Sequence, residues 1–263
     1  MQTDRHKRAW ITGAGKGIGR ELALELARRG WWVAVSARTA EDLAALEQMA
    51  PGRICGFVLD VTDTTAVERT VEAIEAQSGP LDLAVLNAGT HIPMQAARFD
   101  IGALRKLVET NLMGVGNGLA AVLPRFMARR AGQIAVVSSV AGFRGLPTSA
   151  GYGATKAALI NMCEALKPEC DAAGVKLQIV CPGFVDTPLT RRNRFPMPFL
   201  ISSGRAATII ADGLASARFA IVFPLPMRLL MGLLRRLPDR LLFAVTRRML
   251  PKDDGGSPPA GGP

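Results

Sequence analysis

Seven short, almost wholly apolar runs punctuate this chain, and segments of helical period lie between them. The runs cover residues 9–12, 32–36, 54–59, 83–87, 134–138, 177–181 and 219–223. The stretches 17–29, 41–49, 64–77, 101–129, 152–173 and 204–215 repeat apolar side chains at three- and four-residue spacing. A strand that is apolar on both faces needs cover on both, and a helix between successive strands makes parallel pairing the natural connection. The pattern predicts an α/β fold: one doubly wound, seven-stranded parallel sheet with helices on both faces. Ligands of such sheets sit in the crevice at the carboxyl ends of the strands.

The glycine-rich stretch Thr12-Gly13-Ala14-Gly15-Lys16-Gly17-Ile18-Gly19 falls at the first of those ends, after a strand and before an amphipathic helix. Glycines let backbone N–H groups approach a pyrophosphate, and a helix N-terminus favours the anion, so the domain reads as a Rossmann nucleotide-binding unit. At the end of the second strand, dinucleotide sites of the NAD type place a carboxylate to bind the ribose 2′-hydroxyl. Here Ala37 holds that place and Arg38 follows it. A guanidinium pairs with a 2′-phosphate where a carboxylate would repel it, and Lys16 adds a second cation nearby. NADP(H) is therefore favoured over NAD(H).

Tyr152 and Lys156 stand four residues apart in Gly151-Tyr152-Gly153-Ala154-Thr155-Lys156, with Ser139 thirteen residues upstream. At that spacing both project from one face of a helix, about one turn apart. An ammonium there favours the phenolate and is expected to pull the phenol below its usual pKa of about 10. A phenol so tuned can give a proton to a carbonyl oxygen or take one from an alcohol.

Taken in order, the Thr12–Gly19 loop, Asp60-Val61, Asn87-Ala88-Gly89, Asn111, Ser139, Tyr152-x-x-x-Lys156 and Pro182-Gly183 make the chain resemble the short-chain dehydrogenase/reductase family across residues 8–223. The resemblance implies Tyr152 as proton donor and acceptor, and Ser139 as the group that holds the substrate carbonyl against it. It implies that Lys156 binds the nicotinamide ribose and stabilises the phenolate, and that Asn111 holds a water linking Lys156 to solvent. Asp60 would face the adenine amine and Val61 would offer its backbone amide. Asn87 would lie beneath the adenosine ribose, beside Ala88 and Gly89. Pro182, Gly183, Val185 and Thr187 would complete the cofactor site, Thr187 bonding the carboxamide. Ser138 would end its strand in a packing role. A homodimer or homotetramer through the long helices beginning near residues 101 and 152 is implied as well.

The ending departs from that family's 3-oxoacyl-carrier-protein reductases, which close on an Asp-Gly-Gly-like segment and a last apolar strand. Beyond residue 223 the chain turns Leu- and Arg-rich. At 100° per residue, Leu229, Leu230, Leu233, Leu234 and Leu237 share one face with Arg228 and Arg235 opposite, and Pro238 interrupts. Leu241, Leu242, Val245 and Met249 then repeat the pattern against Arg240 and Arg247. Residues 224–251 thus form an extension of two amphipathic helices, and the arginines argue against a membrane span. Two readings stay open: a lid or dimer contact packed on the protein's own core, or a face laid on an anionic membrane surface through residues 225–250. The Gly/Pro-rich tail 252–263 reads as disordered.

Composition narrows the rest. A chain of 263 residues with 49% hydrophobic and 21% charged residues suits one large globular domain, residues 1–223 carrying cofactor and chemistry. The net charge of +10 is concentrated near the end and in the loop holding Arg191, Arg192 and Arg194. That loop could meet an acidic substrate or a carrier phosphate, though a solvated face is the commoner case. Aromatics are sparse and no nucleic-acid motif accompanies the charge, so nucleic acid is not expected as a partner. Cys55, Cys163, Cys170 and Cys181 have neither a Cys-x-x-Cys spacing nor a neighbouring histidine, so no metal is expected and reduced thiols are. No apolar run follows the basic start, so no signal peptide is expected and the location is read as cytoplasmic, with the membrane inner face open. The expected function is hydride transfer between NADP(H) and a lipophilic carbonyl or alcohol. A 3-oxoacyl thioester reductase and a non-catalytic NADPH-binding regulator are the alternatives.

Overall fold

The computed structural model describes residues 6–192 and 196–250. Along it run β1 (Arg8–Thr12), α1 (Gly17–Arg28), β2 (Trp32–Ala37), α2 (Ala40–Met49), β3 (Ile54–Val58), α3 (Thr64–Ser78) and β4 (Leu83–Leu86). Then come α4 (Ile101–Val108), α5 (Gly114–Ala128), β5 (Gln133–Val137), α6 (Ala150–Ala172), β6 (Lys176–Pro182) and a two-residue pair, β7 (Val185–Asp186) and β8 (Ile201–Ser202). The chain continues with α7 (Ser203–Ala215), β9 (Ala220–Phe223), α8 (Leu225–Arg236) and α9 (Asp239–Arg247).

All seven expected strands lie in one sheet, in the order β3-β2-β1-β4-β5-β6-β9, every neighbour parallel. The strand period of two divides the core. Trp10, Ala84, Val136 and Ile179 point to one side, where Val71, Phe126 and Leu159 of α3, α5 and α6 cover them. Ile11, Val35, Val85 and Val137 point to the other, against Leu22 of α1, Leu43 of α2 and Ile210 of α7. The strand order reverses between β1 and β4, which opens the crevice at their carboxyl ends. The glycine loop leaves β1 at this crevice and Asn87 follows β4 into it.

Two segments differ from the periodicity. Residues 101–129 read as one helix, yet a wide π-turn at Glu109–Met113 separates α4 from α5. Such turns aim side chains that a regular helix would place elsewhere. Here Asn111 is fully buried, its Oδ1 accepting from Thr90 N at 2.7 Å and its Nδ2 donating to Thr90 O at 2.9 Å and Thr155 Oγ1 at 3.2 Å.

The extension does form two helices broken at Leu237–Pro238. Its leucine face does not pack as a unit, however. Met227, Met231 and Leu234 turn inward on α8, and Leu242 and Thr246 on α9, while Leu229, Leu230 and Leu233 stay exposed. Periodicity places side chains on a face, but it does not say which of two apolar faces the core takes. The inward residues join the α5–α6 side of the core. The expected tail 252–263 lies outside the described residues.

Candidate active site

A cleft of about 670 Å³ runs along the carboxyl ends of the strands. Gly13, Gly15, Lys16, Gly17 and Ile18 line it from the loop after β1, and Arg38, Asp60 and Val61 from the ends of β2 and β3. Asn87, Ala88 and Gly89 line it after β4, Ser138 and Ser139 after β5, Tyr152 and Lys156 from α6, and Pro182, Gly183, Val185 and Thr187 after β6. Residues scattered over most of the chain meet because the parallel sheet brings every strand end to one edge. Gly19 and Asn111 are expected site residues that do not line the cleft. Both instead pack against residues that do line it, Gly19 against Asn87 and Asn111 against Thr90.

The loop leaves β1 with Gly13 at φ 66°, and a Cβ there would lie 2.7 Å from Ala88 Cα. At Gly19 a Cβ would fall 2.6 Å from Asn87 Nδ2 and 2.6 Å from Gly13 O. The Asn87 amide fills that space, donating to Thr12 O at 3.0 Å and Gly13 O at 3.1 Å. The loop is thereby clamped to the end of β4. This is the close-packed, glycine-lined cradle that a dinucleotide phosphate needs, and the residues present fit that group.

At the end of the cleft beyond β2 and β3, Asp60 Oδ1 accepts from Thr62 N at 3.0 Å and Thr62 Oγ1 at 2.8 Å. Those bonds, the backbone one first, hold its carboxyl below the usual carboxylate range, with a smaller contribution from Arg38. Arg38 lines the cleft as expected. Lys16 is not the independent second cation that the motif suggested, because its Nζ lies 3.3 Å from Asp42 Oδ2. Asp42 also lines the cleft, and sequence reading missed it. A carboxylate at the start of α2 carries no motif; its role emerges only when α2 folds back on the loop.

At the inner end, Ser139 begins a short 3-10 turn (Val140–Gly142), its Oγ accepting from Ala141 N at 3.1 Å and donating to Pro182 O at 3.4 Å. Ser138 is buried and donates to Lys156 O at 2.8 Å, the packing role expected of it. Lys156 Nζ donates to Val137 O at 2.8 Å and lies 5.7 Å from the centre of the Tyr152 ring. Burial lowers Lys156 to a pKa of about 8. Burial also pushes the Tyr152 phenol up, only partly offset by its hydrogen bond with Ser139. The expected pull of Lys156 below the usual phenol value is thus overridden: desolvation disfavours the phenolate more than this geometry supports it. His91 stands edge-on to Tyr152, with ring centres 4.9 Å apart, and burial lowers its pKa. Of the three loop arginines, Arg191 pairs with Asp186 at 2.7 Å, while the Arg192 side chain and Arg194 lie outside the described residues.

The fold and cleft define a dinucleotide-binding oxidoreductase scaffold with a serine, a tyrosine and a lysine at its inner end. Residues 7–196 match the short chain dehydrogenase family, and the chain belongs to it. An uncharacterized oxidoreductase of Myxococcus xanthus is 37% identical over 247 residues, 93% of this chain and 98% of its own length. ElxO with NADP bound superposes with a TM-score of 0.75 at 25% identity, over 82% of this chain and 97% of its own. A 3-ketoacyl-(acyl-carrier-protein) reductase of Brucella melitensis complexed with NADH superposes at 0.76 and 26% identity, over 82% and 94%. Among the described residues no helix is long and apolar enough to cross a membrane.

Proposed function

We propose that this protein is an NADP(H)-dependent reductase of lipophilic ketones or aldehydes, or the reverse alcohol dehydrogenase, with Tyr152 as the acid and base. The observation that carries this reading is the meeting of Ser139, Tyr152 and the buried Lys156 at the inner end of one cleft. The nicotinamide, when bound, supplies or accepts the hydride; proton transfer and orientation fall to the chain.

Tyr152 and Ser139 donate to the same substrate oxygen and stabilise the charge that develops on it. A phenol raised by burial keeps its proton at neutral pH, which suits the reductive direction. Lys156, lowered by burial to a pKa of about 8, would hold the ribose hydroxyls and relay the proton. Asn111 supports that relay by fixing Thr90 and Thr155 beside Lys156. Gly13, Gly15, Gly17 and Ile18 would hold the pyrophosphate, Arg38 with Lys16 beside it the 2′-phosphate, and Asp60, Val61 and Asn87 the adenosine. Thr187 and Val185 would fix the nicotinamide.

Support for a lipophilic substrate comes from the loops that flank the inner end. Phe143 and Leu146 follow Ser139, and Phe184 follows Gly183; all three lie only partly buried against the core. The second reading, a 3-oxoacyl thioester reductase, is favoured by likeness to the Brucella enzyme. Homodimers or homotetramers fit the exposed Phe99, Ile101 and Met113 on the α4–α5 side. The deciding experiment follows NADPH oxidation with long-chain aldehydes, steroid ketones, small polar ketones and 3-oxoacyl thioesters. Turnover led by the first two supports the proposal, and turnover confined to thioesters replaces it with the second reading.

A further inference from the structure

The C-terminal extension carries two apolar lines on α8, and only one is used by the fold. Met227, Met231 and Leu234 bury against the core. Leu225, Leu229 and Leu233 are displaced from Met227 and Met231 by two positions, about 200° around the helix. They are 60%, 63% and 61% exposed. Leu241 and Phe243 continue the exposed apolar surface on α9. Arg228, Arg235, Arg236, Arg240, Arg247 and Arg248 surround it, all exposed. The one acidic residue of 225–250, Asp239, is held by Arg144 at 2.6 Å. Among the described residues none of the six arginines has a carboxylate within 4.0 Å.

We propose that this surface docks the protein on an anionic lipid bilayer. A lid over the protein's own cleft would need the leucines turned inward, but the opposite line already anchors both helices. A symmetric contact with a second copy would set arginine against arginine. A bilayer of anionic lipid satisfies both features: the leucines and Phe243 enter the acyl boundary while the arginines meet phosphates. The surface also sits beside the inner end of the cleft. Met227 packs so close to Gly183 that a Cβ there would lie 2.8 Å from its Cγ, and Arg144, which holds α9, follows Ser139 by five residues.

The inference does not depend on the proposed reaction, and its test reads binding rather than turnover. The full chain is floated with phosphatidylcholine vesicles, with and without phosphatidylglycerol. Flotation with the anionic vesicles at least about tenfold above that with phosphatidylcholine alone is expected. L229D/L233D changes only outward positions and should abolish it. R236E/R240E, which leaves the leucines in place, should weaken it by about tenfold or more. No flotation of the unaltered protein overturns the proposal, as does unchanged flotation of either variant. Light scattering covers the remaining occupant: a mass that halves in L229D/L233D assigns the surface to a second copy and overturns the proposal too.

Discussion

Lys16 Nζ sits 3.3 Å from Asp42 Oδ2, and Asp42 in turn presses on Gly15, so that a Cβ at that glycine would be 3.2 Å from the same oxygen. A cation offered to the cofactor by the glycine loop is therefore shared with a carboxylate at the rim of the cleft. Among the described residues Arg38 has no carboxylate within 4.0 Å, and Asp60 feels its charge only from farther off. On the proposed function, Arg38 rather than Lys16 would decide between NADP(H) and NAD(H).

Exchange at these two positions should move cofactor preference in opposite directions. Asp42→Asn frees Lys16 and removes a repelling charge, so kcat/KM for NADPH should rise about fivefold, the scale of one exposed ion pair, with NADH little changed. Arg38→Asp should lower kcat/KM for NADPH by about a hundredfold and spare NADH, the loss of one charge-assisted contact. An NADPH preference unmoved by Arg38→Asp would refute the assignment of the 2′-phosphate to this residue.

Removing the Tyr152 hydroxyl tests the chemistry directly. Tyr152→Phe keeps the ring against His91 and should cut kcat by about a thousandfold, while the NADPH dissociation constant by fluorescence titration stays within about twofold. Because burial raises the phenol, the oxidative direction, which needs the phenolate, should gain rate as pH rises, while the reductive direction should not. Near-normal turnover in Tyr152→Phe would sink the assignment.

Lys156 makes stability depend on pH. Its native pKa is about 8 against an ordinary lysine value near 10.4. Below pH 8 both native and unfolded chains are protonated there, and the cost of burying the cation is fully present. Between about pH 8 and 10 the unfolded chain keeps a proton that the native protein has released, so stability rises with pH. Relative to Lys156→Met, the unaltered protein should gain up to about 1.4 kcal/mol per pH unit in urea unfolding. Above pH 10 the raised Tyr152 phenol works in the opposite direction, so the window closes there. Parallel pH curves for the two proteins would contradict the depressed pKa.

Gly19→Ala tests the clamp under the loop. Its Cβ would meet Asn87 Nδ2 and Gly13 O at 2.6 Å, and both belong to the same hydrogen-bonded joint. Overpacking of this kind costs about 1–3 kcal/mol, read as a lower urea midpoint at unchanged slope, and cofactor affinity should fall with it. Wild-type stability and affinity together would show that the joint has slack.

Much of this was legible without coordinates. The seven apolar runs became seven parallel strands within a residue or so at each end, because a strand buried on both faces has few other ways to read. The cleft residues were legible as motifs whose spacing survives folding: the glycines, Asn87-Ala88-Gly89, Ser139, and Tyr152 with Lys156. The π-turn that buries Asn111 left no local signal, since residues 101–129 satisfy helical period throughout. Asp42 had none either, being one of two acids in the first turn of an amphipathic helix.

What the sequence determined by itself is one-dimensional: which segments are strands or helices, where glycine is required, and that Tyr152 and Lys156 share a helix face. Tertiary structure alone decided quantities that depend on neighbours far along the chain. It chose Met227, Met231 and Leu234 over Leu229 and Leu233 as the inward line of α8. It paired Lys16 with Asp42. It half-buried Tyr152 and buried Lys156 so that desolvation, rather than their mutual attraction, sets the direction of both pKa shifts. Period is a property of adjacent residues, whereas burial and electrostatics sum over everything packed around a group, and that sum exists only once the sheet has assembled.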